Sequence, residues 1–397
     1  MGLNNIFIVF CVSIFFSFFS FYNKLYAGQN VYIVPSKGYE KNPTEFEGGV
    51  FIKLKQAVNT LGYECHFVSF YAIPDLSEED TAYLILIDFS HIPDFKRFTP
   101  KELSPYPKHV ARLLSRFSKD KLVLMCFEPE AYDSENHDPV MHELFGKVIT
   151  CYDNFKGQKY HKFCYPINPS DRSGPVHAFG SRKLAMLMNN CKYSNHPNEL
   201  YSQRVEVIKF FEKLKEVKKQ QNIEDVQVFE FYGSGWGKKK YVNYKGSVPD
   251  KTEVLKQYRF CYCFENTKNV TGYISEKILD CLSAGCVPIY WGATNIERYI
   301  PNNCYLRRED FDSLQDIYDF IKNMPEDMYQ EYLNNIKNYL SSDAVLLFSH
   351  ENFLNTVLHA LFPGYDRTKI FTQEQMGLLA KIDSLLAQNK NNFLGYN

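Results

Sequence analysis

The chain has 397 residues, more than one ordinary hydrophobic core covers, so two domains are expected. Its 45 Lys and Arg stand against 46 Asp and Glu, a balance that excludes a nucleic-acid protein working by phosphate neutralisation. The 33 Phe and 29 Tyr read first as core packing, although aromatic faces also serve sugar-handling proteins.

Ile6 to Tyr22 is apolar apart from three serines, slightly short for a membrane span, with Lys24 after it and no basic residue before it. Leu25-Tyr26-Ala27 offers a weak signal-peptidase site, so residues 1–27 are expected to be a signal-anchor or a signal peptide. Strands are expected at Val31–Pro35, Cys65–Phe70, Tyr83–Phe89, Leu122–Phe127 and Val148–Tyr152, and helices at Gly48–Leu61 and Pro107–Phe117. Phe51, Leu54 and Val58 share one side of the first helix. The alternation predicts a parallel sheet with helical crossovers. Residues 154–182 are rich in Gly, Pro, Ser, Lys and Asn and suit an interdomain connection. The first domain is accordingly set at 28–165 and the linker at 166–182.

The second half repeats the logic. A strand, Leu184–Met188, ends in Asn189-Asn190, and a long helix spans Glu199–Lys219. The strand Val226–Tyr232 precedes a glycine-rich turn, Gly233 to Gly237, where backbone can approach a phosphate closely. Helical patterns follow at Asp312–Asn323, Glu326–Leu340, Asp343–Leu361 and Gln373–Gln388. The second domain is set at 183–362, with a helix and tail over 363–397.

No CxxC pair or Cys/His zinc spacing occurs among the 11 cysteines, and most are expected to be buried free thiols. Asp310-Phe311-Asp312 imitates a DxD metal motif, but Asp312 suits a helix N-cap and Arg307-Arg308 lie beside it. Neither site calls for a metal. The sequon Asn269-Val270-Thr271 falls in a loop that a glycan would crowd, so it is expected to be unmodified.

The most informative stretch is Tyr258 to Trp291, which reads as strand, polar loop, amphipathic helix, Gly285 turn and second strand. Ile274, Ile278, Leu279 and Leu282 form the apolar stripe of a helix expected over Ile274–Ala284. The polar loop holds Glu265, Asn266, Tyr273, Glu276 and Lys277 where open α/β sheets bind ligands, outside the carboxyl ends of strands. Lys277 sits in the first helical turn, a poor place for a cation unless an anion shares it. A phosphate is therefore expected there, in preference to a simple surface pair with Asp280 or Glu276.

These residues resemble the donor-binding signature of the α-1,3-fucosyltransferases, glycosyltransferase family ten. The signature appears as Phe264-Glu265-Asn266, Tyr273-Ile274-Ser275-Glu276-Lys277 and Gly285-Cys286-Val287-Pro288-Ile289-Tyr290-Trp291-Gly292. Weaker similarity runs from about Lys121 to about Leu340. The resemblance implies an α/β fold of the GT-B kind, with two Rossmann-like domains facing across a cleft. It implies GDP-fucose as donor, inversion at the sugar carbon, and no obligatory divalent metal or other cofactor. The acceptor would be a hydroxyl, the 3-OH of GlcNAc or Glc, on a glycoprotein, glycolipid or lipopolysaccharide. A membrane-anchored enzyme with a lumenal catalytic domain, Golgi-like in a eukaryote, is the layout that comes with the family. Secretion or envelope association after cleavage is the alternative.

The resemblance also distributes roles. Glu128, at the end of Leu122–Phe127, would be the general base, with Glu130 as its rival. Glu276 would stabilise the oxocarbenium-like transition state, Tyr273 and Asn266 would orient the donor, and Lys277 would neutralise the departing diphosphate. Arg204, in the helix after Asn189 and Asn190, would reach the phosphates. Tyr232 and Gly233 match the family's turn, but Ser234 replaces its basic residue; Lys238, Lys239 or Lys240 would substitute.

Overall fold

The computed structural model describes residues 29–35, 49–89, 114–171, 178–221, 229–237 and 240–388. The apolar run at 6–22, Lys238 and Lys239, and most of the helix expected at Pro107–Phe117 lie outside these residues. Among the described residues no helix is long and apolar enough to cross a membrane.

Two parallel sheets form the framework. The first holds β1 (Asn30–Val34), β2 (Glu64–Phe67), β3 (Thr81–Ile87), β4 (Leu122–Cys126), β5 (Lys147–Thr150) and β6 (Tyr160–Lys162) in the order β2-β1-β3-β4-β5-β6. The second holds β7 (Lys183–Met188), β8 (Phe229–Tyr232), β9 (Tyr258–Phe264), β10 (Val287–Trp291) and β11 (Leu306–Arg307) in the order β11-β10-β9-β7-β8. Every adjacent pair is parallel. The two halves therefore share one winding. Each chain segment lays down its first two strands in one direction and reverses for the third. The reversal opens a crevice between β1 and β3 in one half and between β7 and β9 in the other, the place where doubly wound sheets hold ligands.

Strand burial explains why the pattern was readable. All five residues of β4 and all seven of β9 are buried, as expected of strands covered on both faces. The helix Val50–Thr60 buries Phe51, Leu54 and Val58 as its spacing predicts. Three expectations need correction. β6 lies inside the stretch read as connecting sequence; a three-residue strand carries no periodicity, and its buried Lys162 pairs with Asp153 at 3.2 Å and donates to the Cys151 and Gly272 carbonyls. The single helix expected over Asp343–Leu361 is a 3-10 turn (Asp343–Phe348) and a helix (His350–Leu361), broken where Ser349 caps the Asn352 N–H at 3.1 Å. Ser313, not Asp312, caps the helix Leu314–Asn323.

The helix His350–Leu361 also leaves the second sheet and packs on the first. Its Phe353 meets Phe51, Phe127 and Phe163 with ring centroids 5.9, 6.0 and 5.5 Å apart. One continuous apolar core consequently runs through both halves. The ten described cysteines are free thiols, all buried except Cys191.

Candidate active site

The carboxyl ends of β3, β4, β7 and β9 converge on one cleft of about 570 Å³ between the halves. Its size suits a small organic ligand with a few converging polar groups. Asp88, Glu128, Asn189, Asn190, Arg204, Gly233, Asn266, Tyr273, Glu276 and Lys277 all line it.

The second half supplies a loop and a helix N-terminus. After β9 the chain turns through Gly272 (φ 81°), and Ser275 caps the helix Glu276–Ser283 by accepting the Lys277 N–H. Gly285, at φ 65°, ends it. Glu265 does not face the cleft. Its fully buried carboxylate accepts from the Ser275 N–H (2.9 Å), the Ser275 hydroxyl (2.6 Å) and the Lys277 ammonium (3.4 Å). It fixes the helix start from beneath and acts on a ligand only through that helix.

Two cations, Lys277 and Arg204, line the cleft. Lys277 Nζ stands 2.9 Å from Ser275 Oγ and 3.5 Å from Glu276 Oε1. Burial works against its charge, but Glu276 and Glu265 outweigh it and raise its pKa. Arg204, 2 % exposed, donates to the carbonyls of Phe264 and Glu265 at 2.7 Å each and to Asn266 Oδ1 at 3.0 Å. Among the described residues its buried Nε has no partner. The Nε atoms of Arg182, Arg259 and Arg308 are buried in the same way, so the guanidinium bears on the cleft through its position in the lining rather than through Nε. Burial opposes ionisation of Glu276, yet Lys277, Lys251, its own N–H and the Ser275 hydroxyl hold its carboxyl down at about 2. Glu276 is thus a fixed negative charge beside the cations.

The first half supplies Glu128, whose side chain is 28 % exposed. Its Oε2 accepts from Asn266 Nδ2 at 3.2 Å, and Lys192 Nζ lies 3.9 Å from Oε1. One amide side chain, Asn266, therefore touches Arg204 with its oxygen and Glu128 with its nitrogen. Burial raises the Glu128 pKa to about 7, with Lys192 opposing. That is the range a general base needs near neutral pH. Glu130 faces His196 Nε2 at 3.4 Å and does not line the cleft.

Of the remaining expected residues, Asn190 Oδ1 accepts the Ser234 N–H at 2.8 Å and pins the glycine turn. Gly233, at φ 132°, has no room for a side chain: a Cβ there would overlap the Asn189 carbonyl. Tyr232 points away from the cleft into a buried network, its hydroxyl 2.8 Å from that of Tyr258. It carries the turn but offers no ligand contact. Ser234 is exposed and does not line the cleft. Asp88, Lys192 and Lys251 line it without having been singled out from sequence. No motif surrounds them, and only the approach of strands distant in sequence gathers them.

The halves are tied beside the site. Asp153, after β5, accepts from Asn295 Nδ2 (2.7 Å) and Tyr299 OH (2.8 Å) and pairs with Lys162. Its N–H donates to Thr271 O at 3.0 Å, in the loop between β9 and the helix Glu276–Ser283. Among the described residues no group of three His, Cys, Asp or Glu could hold a metal ion.

Two α/β halves with a cleft at facing carboxyl ends make an α/β architecture of the GT-B type. The DNA-modifying enzyme β-glucosyltransferase shares this fold, at 11% identity and a TM-score of 0.51, over 84% of this chain and 99% of that one. Residues 182–355 match the model for glycosyltransferase family 10 (fucosyltransferase), C-terminal part. An α-(1,3)-fucosyltransferase of Helicobacter pylori is 35% identical over 111 residues, 28% of this chain and 20% of that protein. The mouse 4-galactosyl-N-acetylglucosaminide 3-α-L-fucosyltransferase 9 is 30% identical over 130 residues, 30% of this chain and 34% of that protein. The chain thus spans about a fifth to a third of the length of the curated relatives it matches.

Proposed function

We propose that the chain transfers L-fucose from GDP-fucose to a glycan hydroxyl with inversion, the 3-OH of a GlcNAc or Glc unit. One observation carries the reading. Asn266 bridges a buried arginine to a carboxylate of raised pKa that arrives from the opposite half. That juxtaposition suits a donor diphosphate on one wall and a proton acceptor on the other. In this reading Glu128 takes the proton as the acceptor oxygen attacks the anomeric carbon. The bond to the phosphate oxygen breaks on the opposite face, and Lys277 and Arg204 take up the charge that develops on GDP. Glu276 faces the positive charge on the sugar. No residue of the reading calls for a metal. The apolar run at 6–22 supports tethering at a membrane, with a cleaved signal as the other outcome. Membrane extraction of the full chain would separate the two.

Calorimetry with GDP and UDP tests the donor, and a glycan array with labelled GDP-fucose tests the acceptor. GDP should bind and UDP should not. Glu128→Gln should abolish transfer and leave GDP affinity nearly intact; full activity in that variant would remove Glu128 from the mechanism.

A further inference from the structure

Asp88 stands at the carboxyl end of β3, at the reversal point of the first sheet, where no catalytic role has been placed. It holds a left-handed backbone conformation (φ 56°) that non-glycine residues seldom adopt, and it is buried. Its Oδ1 accepts three hydrogen bonds: from the N–H of Phe127 (2.8 Å), the N–H of Glu128 (3.0 Å) and Asn136 Nδ2 (2.6 Å). Asn136 Nδ2 also donates to the Glu128 carbonyl at 3.1 Å, and its Oδ1 accepts the Phe89 N–H at 2.8 Å. His137 Nε2 lies 3.0 Å from the same Glu128 carbonyl, its ring stacked on Tyr152 at 3.7 Å and 8°. Burial drives the His137 pKa down to about 3, so the ring is neutral and Nε2 donates its proton to that carbonyl. Both backbone polar groups of Glu128 are therefore held by side chains, the amide by Asp88 and the carbonyl by Asn136 and His137.

A strand that merely ended here would not require a strained aspartate to collect two successive amides. We propose that Asp88 is a positioning residue for the general base: with Asn136 and His137 it fixes the Glu128 backbone, and its charge keeps the nearby carboxyl a competent proton acceptor. This rests on the assignment of Glu128 as base. Several charged or titratable groups face Glu128. Asp88 comes from β3, Tyr132 from the segment after β4, Lys192 from the loop after β7, and Tyr201 from the helix Tyr201–Gln220. Tyr273, Glu276 and Lys277 come from the donor loop and its helix. Asp88 and Glu276 oppose its ionisation, and Lys192 and Lys277 favour it. Removing the Asp88 charge must therefore ease ionisation of Glu128.

The test uses the full chain with GDP-fucose and an N-acetylglucosamine-terminated oligosaccharide. Asp88→Asn retains an oxygen for the two amides and removes the charge. The acidic limb of its kcat/KM profile should move to lower pH, with GDP affinity unchanged. Asp88→Ala removes both and should lower kcat by about 100-fold, the cost of a base displaced by roughly an ångström. An unmoved limb in Asp88→Asn overturns the proposal, as does wild-type kcat in Asp88→Ala. If Asp88→Ala does not fold, the limb of Asp88→Asn decides alone. Glu128→Gln separates the two layers. Activity in that variant refutes the base assignment, whereas its loss together with an unmoved Asp88→Asn limb refutes the positioning role only.

Discussion

Replacing Lys277 by Met keeps the length of the side chain and removes its charge. Two effects follow, and the structure separates them. The ammonium stands 2.9 Å from Ser275 Oγ, 3.4 Å from Glu265 Oε2 and 3.5 Å from Glu276 Oε1, at the start of the helix Glu276–Ser283. A charge-assisted contact from it to a phosphate oxygen is worth about 1.5–3 kcal/mol, so GDP affinity should fall roughly 10- to 100-fold. The second effect concerns Glu265, which is fully buried and has Lys277 as its cation. Stranding a buried charge costs about 3–5 kcal/mol. The Ser275 N–H and hydroxyl remain to Glu265, which sets the expectation at the low end, about 3 kcal/mol. The double variant Lys277→Met/Glu265→Gln has no stranded charge. It should recover most of the unfolding free energy without recovering GDP affinity. Titration calorimetry and urea denaturation on the wild type, both single variants and the double variant complete the cycle. Wild-type GDP affinity in Lys277→Met, or restored affinity in the double variant, would refute the claim that this lysine meets the diphosphate.

Transfer should fall as pH drops through about 7, because Glu128 must be ionised to accept a proton and its pKa is raised to that value. The same shift has a stability consequence. A carboxyl whose folded pKa lies above its unfolded one contributes fully below the unfolded value, and that contribution is lost as pH rises through the folded value. Glu128→Gln should therefore gain stability over the wild type at pH 8 compared with pH 4, as read by denaturant midpoints. Asp153→Ala leaves the buried Lys162 without its carboxylate and removes the acceptor for Asn295 Nδ2 and the Tyr299 hydroxyl. It should cost about 3–5 kcal/mol of stability and raise the donor KM as the loop at Thr271 loses its anchor, measurable by denaturation and steady-state kinetics. Gly233→Ala combines a positive φ of 132° with a clash against the Asn189 carbonyl, and should weaken GDP binding more than Ser234→Ala, which alters only an exposed side chain.

The strand–loop–helix–strand from Tyr258 to Trp291 was legible in the sequence because its determinants are local. A run of buried residues makes the strand, Ser275 caps the helix, the 3.6-residue stripe buries Ile278, Leu279 and Leu282, and Gly285 stops it. The partners of Lys277 were legible only in part: it pairs with Glu276, its neighbour in the first turn, and with Glu265, which the fold brings beneath the helix start. The parallel alternation likewise announced two sheets, although β6 escaped because three residues carry no period. What lay beyond reach joins residues far apart in the chain. Asp88 grips Phe127 and Glu128 some 40 positions later, and Asn266 meets Glu128 across 138. Lys192 enters the cleft from a loop without a motif. The helix His350–Leu361 crosses back onto the first sheet because that sheet, not the second, offers Phe51, Phe127 and Phe163 to its Phe353. Hydrogen bonding and burial over one helical turn follow from the order of residues. The raised proton affinity of Glu128 depends on which charges are brought near it and how much water is excluded, and those were decided only when the two sheets turned their carboxyl ends toward each other.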